Sequence, residues 1–153
     1  MKLLVTGSAG HLGEALVRSL RRQGHEVTGL DRLASPFTDV QGSILDAALV
    51  ARCVNGVDAV LHTATLHKPH VATHRLQDFV DTNIGGTLCL LEAAVAAGVG
   101  AFVYTSTTST FGEAMRPAPG QPASWVTEAT MPVTRNIYGA TKLEGEELIR
   151  ASG

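Results

Sequence analysis

Tyr138 and Lys142 lie four residues apart in the run Tyr138-Gly139-Ala140-Thr141-Lys142, a spacing that sets a phenol and an ammonium on one face of a helix. A free phenol titrates near ~10, and a positive charge held beside it favours the phenolate, so the pair has the makings of a base. The same spacing on an exposed helix more often makes only a solvated edge, so its meaning depends on the rest of the chain. At the other end, Met1-Lys2-Leu3-Leu4-Val5-Thr6-Gly7-Ser8-Ala9-Gly10-His11-Leu12-Gly13 reads as a short apolar strand, a glycine-rich turn and the start of a helix. Gly7, Gly10 and Gly13 permit tight reversal and close backbone approach to a pyrophosphate, whose charge is favoured by the free amides and dipole at a helix start, here around His11 and Leu12. The segment Glu26-Val27-Thr28-Gly29-Leu30-Asp31 then reads as a second strand ending in an acid about 20 residues beyond the glycines, where a ribose diol would bind. Asp31 argues for NAD. The neighbouring Arg32 leaves NADP open, because it can meet the extra phosphate, and the plain alternative for Asp31 is a strand-end turn residue.

The elements that must position these groups alternate. Leu12, Leu16, Val17 and Leu20 recur at helical spacing and Gly24 follows where a helix would stop. A short irregular strand near 40–44, a helix near 47–54, a strand at 58–63, a long helix near 71–97, a strand at 101–106 and a last helix near 137–150 complete the pattern. Strand and helix in turn mean a parallel sheet, and right-handed crossovers make it a doubly wound α/β sheet of five strands in the order 3-2-1-4-5, with ligands at its carboxyl edge. Residues 107–136 are one extended connection holding four of the six prolines. A loop of that length inside a compact domain is usually functional or mobile, and this one is expected to border a substrate.

Taken together, Thr-Gly-x-x-Gly-x-x-Gly and Tyr-x-x-x-Lys resemble the extended short-chain dehydrogenase/reductase family in its NAD-dependent epimerase/dehydratase branch. Further matches follow in order: Gly42-Ser43-Ile44, Leu61-His62-Thr63-Ala64, Asn83-Ile84-Gly85-Gly86-Thr87, and Ser106-Thr107 through Phe111-Gly112. The resemblance covers essentially all of residues 1–153 as one Rossmann domain carrying the Tyr-x-x-x-Lys helix. Members are typically about twice as long, so the usual C-terminal substrate-binding portion is expected to be missing here.

The resemblance implies Thr107, Tyr138 and Lys142 as the catalytic group, with Ser106 the alternative to Thr107. It implies Gly7, Gly10, His11, Leu12, Gly13, Asp31, Arg32, Ser43, Ile44, Thr63, Ala64, Thr65, Tyr138 and Lys142 around the cofactor. It also implies a nucleotide-sugar substrate and a homodimer through the long helix and the Tyr138 helix. Where the family commonly has an acid that holds the adenine amino group, this chain has Ser43, so that contact is weaker or falls to the Ile44 backbone. Two readings of Asn83 stand, a place near the site or a bond to backbone within its own helix. The activity implied is hydride transfer at a hydroxyl-bearing carbon. The alternatives are an NADP-dependent ketone or aldehyde reductase, and a non-catalytic dinucleotide-binding module completed by another chain.

Composition narrows the partners. With 12 Lys+Arg against 14 Asp+Glu there is no basic excess to neutralise a nucleic acid. No apolar stretch is read as reaching the ~18 residues of a membrane span, and the N-terminal run is too short for a signal core, which gives a cytoplasmic expectation. Cys53 and Cys89 are isolated and are expected to be buried free thiols. His67, His70 and His74 suggest a metal by spacing, but Pro69 breaks any helix across the first pair and no acid or thiol lies among them, so no metal is assigned. His67 follows the fourth strand, near where the family holds the cofactor, and equally reads as a plain loop histidine. Asp46 reads as a helix N-cap. Apolar surface left by an incomplete sheet edge would favour self-association.

Overall fold

The computed structural model describes residues 1–152. Strands β1 (Lys2–Thr6), β2 (Glu26–Asp31), β3 (Val40–Gln41), β4 (Ala59–His62) and β5 (Ala101–Tyr104) form one parallel sheet in the order β3-β2-β1-β4-β5. β1 is central because its residues are apolar on both faces. Leu4 packs with Leu30, Val50, Val54, Val60 and Leu90 beneath α2 (Ala47–Val54) and α4 (Gly86–Ala96), while Leu3 and Val5 pack with Val17 of α1 (His11–Arg22). A strand buried on both sides reads as a continuous apolar run, as Leu3-Leu4-Val5 does. Strand order reverses at β1, so the carboxyl ends of β1 and β4 open a crevice beside the glycine turn.

Three expectations change at their edges. The third strand keeps only Val40–Gln41, since the chain leaves the sheet at Gly42, whose amide bonds Asp31 O at 2.8 Å, and turns into α2, where Asp46 Oδ1 accepts the Leu49 amide. The long helix does not begin at 71. Pro69 lies in a 3-10 turn over Lys68–Ala72, and the chain restarts as α3 (Leu76–Phe79), where Asp78 accepts from the Arg75 amide and guanidinium. It then widens into a π-helical stretch, Val80–Gly85, before α4. Cys53 and Cys89 are free but half-buried, not buried.

Leu76–Ala96 as one helical run spans 21 residues at mean hydropathy 1.2, long and apolar enough to cross a membrane by length and composition. This corrects the expectation that no such stretch exists. Phe79, Asn83, Thr87, Leu90 and Leu91 are nevertheless buried, the disposition of a core helix in a folded domain. The last helix, α5 (Ile137–Ala151), packs along this run, with the Asn136 side chain capping it on the Gly139 amide.

Candidate active site

The glycine turn is held by its own close approaches. Gly7 has φ +78°, and its amide bonds Leu30 O at 2.8 Å, tying the end of β1 to β2. A Cβ at Gly13 would lie 2.0 Å from Gly7 O, so the first turn of α1 rests directly on the loop backbone. A Cβ at Gly10 would meet only Gly7 O at 3.2 Å. Asp31 reaches back to this turn: Oδ2 accepts from Ala9 N at 3.0 Å and Oδ1 from Leu33 N at 2.9 Å. Each carboxylate oxygen keeps acceptor capacity for a further hydroxyl. The first amides of α1 have no carbonyl one turn ahead, so the turn offers an anion seat with the Asp31 carboxylate bonded beside it at Ala9. On the far side of Gly7 stand Thr63 and Ala64, with Thr63 Oγ1 donating to Thr6 O at 2.7 Å. Arg32 is exposed beside Asp31. Ser43 Oγ accepts the Leu45 amide, and Ile44 is buried in the core beneath Gly86.

A buried polar chain connects this seat to α5. His62 Nδ1 lies 2.7 Å from Thr6 Oγ1 and Nε2 lies 3.0 Å from Thr87 Oγ1. Thr87 Oγ1 also donates to Asn83 O at 2.7 Å. Thr87 has one proton and spends it on that carbonyl, so His62 must donate from Nε2 and accept at Nδ1 from Thr6. Burial, with the charge of Lys142 added, pushes the His62 pKa down to about 3 and keeps the ring neutral. Asn83 continues the chain. Its Oδ1 accepts from Leu66 N at 2.8 Å and Thr65 Oγ1 at 3.0 Å, and its Nδ2 donates to Leu66 O at 2.9 Å and Thr141 Oγ1 at 3.0 Å. Its side chain thus bonds across to the β4 loop and α5, settling against the reading that confined it to its own helix.

On α5, Lys142 is 2 % exposed, and its Nζ lies 3.7 Å from the centroid of the Tyr104 ring. Burial draws its pKa down to about 7, against the opposing pull of the Glu146 carboxylate. Tyr138, one turn earlier, is half-buried. Tyr104 is held well above the usual phenol range by burial first, then by Glu146 and Tyr138, so it stays protonated and does not compete as a base. The geometry also separates Ser106 from Thr107. The Ser106 hydroxyl donates to Glu146 Oε1, whereas Thr107 Oγ1 only accepts, from Ser109 N at 3.2 Å, and retains its own proton. The Thr107 turn lies against α5, with Ser109 O filling the place a Cβ at Gly139 would take.

A cleft of about 490 Å³ opens next to Thr107, lined by Lys68, Thr108, Ser109, Arg135 and Asn136 among others. His67 lies at the start of the 3-10 turn, donating its amide to His70 Nδ1 at 3.0 Å, and the His70 ring meets that of His67 edge to face and that of His74 at a tilt. Among the described residues no group of three His, Cys, Asp or Glu side chains is arranged to hold a metal ion. Sequence reasoning gave no role of their own to His62 and Thr141, which it named only within motifs, or to Tyr104 and Glu146. Glu146 carried a signal, the i+4 step from Lys142; the two ring residues were masked by their apolar strands.

The fold and the glycine seat define a Rossmann-type dinucleotide-binding domain whose last helix carries a tyrosine and a buried lysine. The chain belongs to the NAD dependent epimerase/dehydratase family, whose profile matches residues 3–153. It is 36% identical to a 3 beta-hydroxysteroid dehydrogenase/Delta 5→4-isomerase of Mycobacterium tuberculosis, over 98% of this chain and 42% of that protein. It is 33% identical to a UDP-glucose 4-epimerase of Streptomyces lividans, over 97% of this chain and 46% of that protein. Among solved structures, a short-chain dehydrogenase/reductase superfamily protein from Agrobacterium tumefaciens with bound NAD superposes with a TM-score of 0.83 at 39% identity, over 99% of this chain and 44% of that one. The chain therefore spans less than half the length of these relatives.

Proposed function

We propose that this chain carries the NAD seat and the proton-transfer group of an epimerase/dehydratase-type oxidoreductase acting at a hydroxyl-bearing carbon of a nucleotide sugar. The observation that carries this reading is the unbroken run of hydrogen bonds Thr6–His62–Thr87–Asn83–Thr141, which sets the glycine turn and the Tyr138 helix in one rigid frame. Gly7, Gly10, Gly13 and the amides of His11 and Leu12 would seat the pyrophosphate. Asp31 would take the adenine-side ribose diol with Arg32 at its edge, and Ser43 and the Ile44 backbone would border the adenine, the Ile44 side chain being packed in the core. Thr63, Ala64 and Thr65 would flank the nicotinamide half, with Lys142 reaching its ribose. NAD, when bound, supplies the hydride acceptor. Thr107, with a free hydroxyl proton, orients the substrate alcohol, and Tyr138 takes the proton from that alcohol. The Lys142 charge favours the phenolate form that accepts this proton.

The UDP-glucose 4-epimerase relative favours the nucleotide-sugar substrate. A second reading, oxidation of a non-sugar alcohol or reduction of its ketone, draws on the hydroxysteroid dehydrogenase relative at 36% identity, and exposed Arg32 would suit NADP in that case. A dimer is also proposed, through the stripe Leu76, Val80, Leu88 and Val95, all exposed along one run of helix, together with α5.

Incubation with NAD and UDP-glucose, dTDP-glucose or a 3β-hydroxysteroid, followed by product NMR, separates the two substrate readings. Tyr138→Phe is expected to keep NAD affinity within about threefold while turnover falls by roughly 10²-fold or more. Turnover that survived the change would remove Tyr138 as the base.

A further inference from the structure

We propose that Tyr104 is a positioning residue for Lys142, its ring face holding the buried ammonium at the point from which it serves Tyr138. The inference rests on the functional reading above for the use of that charge, but the contact itself stands apart from it.

Strand alternation puts Phe102 and Tyr104 on one side of β5, the side on which Phe102 packs against the α2 and α4 core, and brings the Tyr104 ring under α5. Both ends of that ring are fixed. At the far end, Tyr104 OH donates to Lys142 O at 3.4 Å, and a Cβ at Gly145 would lie 2.1 Å from the same oxygen. Gly145 is therefore the notch that admits the phenol, one turn along from the lysine. At the near end, the ring face lies 3.7 Å from Nζ, close enough for the negative π-face to attract a desolvated cation.

The other charged and titratable groups facing Lys142 do not replace this contact. Glu146, on the same helix, has one oxygen engaged by Ser106 and the other 3.4 Å from Arg150 Nη2. His62, from β4, has its ring centroid 5.6 Å from that of Tyr104, tilted against it, and is neutral. Tyr138, one turn earlier on α5, brings a phenol and no carboxylate. Among the described residues no ion pair includes Lys142. Glu146 opposes the desolvation of this buried lysine from its own helix, and the ring face, 3.7 Å from Nζ, adds a second attraction from β5.

The test is an NMR pH titration of ¹³Cε-labelled lysine in the whole chain. Its lysines are Lys2, Lys68 and Lys142, and of these Lys142 alone is buried, so the other two serve as internal controls. Tyr104→Leu removes the ring and is expected to weaken proton binding at Lys142 roughly tenfold, moving its midpoint down by about one pH unit. Tyr104→Phe keeps the ring, loses only the hydroxyl, and is expected to stay within about twofold of the parent protein. If Tyr104→Leu does not fold, Tyr104→Met, unbranched and also without a ring, carries the same expectation. A Lys142 midpoint unmoved by losing the ring, or moved as far by Phe as by Leu, would overturn the proposal. NAD titration of the same samples keeps the two ideas apart. Failure of the parent chain to bind NAD would remove the functional reading, while the Lys142 midpoints would still decide the role of the ring.

Discussion

A neutral histidine wedged between two threonines makes a pH prediction of its own. His62 has one acceptor nitrogen facing Thr6 and one donor nitrogen facing Thr87, so a second ring proton would point at a hydroxyl already committed to donate. Its folded pKa, about 3, lies below the ordinary 6.5, so between those values the unfolded chain binds the extra proton and the folded one does not. The stability this site contributes is present above pH 6.5 and is lost as pH falls toward 3, by up to about 1.4 kcal/mol per pH unit. Urea unfolding at pH 7, 6, 5 and 4 checks this. His62→Gln, which holds no such proton, is expected to flatten the slope, and an equal slope in both proteins would place the acid sensitivity elsewhere. Tyr138 and Lys142 were legible in the sequence because their spacing is itself the signal. His62 and Tyr104 were not, because each closes an apolar strand and only the folded sheet reveals what its polar atoms meet.

At the scale of elements, the glycine turn allows steric cost and ligand cost to be separated. Gly13→Ala would drive a Cβ into the Gly7 carbonyl at 2.0 Å, backbone against backbone, and is expected to cost about 3 kcal/mol of stability along with NAD affinity. Gly10→Ala meets its nearest atom at 3.2 Å, with φ −82°, so the melting temperature should move little while NAD binding weakens. Calorimetric melting and NAD titration of both variants check the pair, and equal melting losses would contradict it. The strands, α1, α2 and α5 were readable because apolar spacing and caps such as Asp46 and Gly24 agree with the tertiary fold. The long helix was readable only in its second half. Upstream, apolar periodicity continued into a stretch where Pro69 and the Arg75–Asp78 cap impose a turn and a new start. The π-helical widening at Asn83 carries no periodicity signal, since it belongs to the bonds that side chain makes to the β4 loop and α5.

The whole molecule has two unequal surfaces. One is the carboxyl edge of the sheet, where the glycine turn, Asp31, Thr107, Tyr138 and Lys142 collect. The other is apolar: Leu76, Val80, Leu88 and Val95 are exposed along the α3–α4 run, and Val103 is 53% exposed on β5. Exposed apolar area of this kind drives association, so sedimentation at micromolar concentration should show a dimer or larger species. Leu88→Glu with Val95→Glu should shift it toward monomer, whereas a monodisperse parent monomer would count against the proposed interface. The order 3-2-1-4-5 was legible because alternation, crossover handedness and the nucleotide-binding start together leave few choices. The cofactor seat is the central claim, and calorimetric titration with NAD and, separately, NADP tests it most directly. The Gly7–Gly13 turn and Asp31 require micromolar NAD binding with NADP much weaker. Tighter binding of NADP, or binding of neither, would contradict the account.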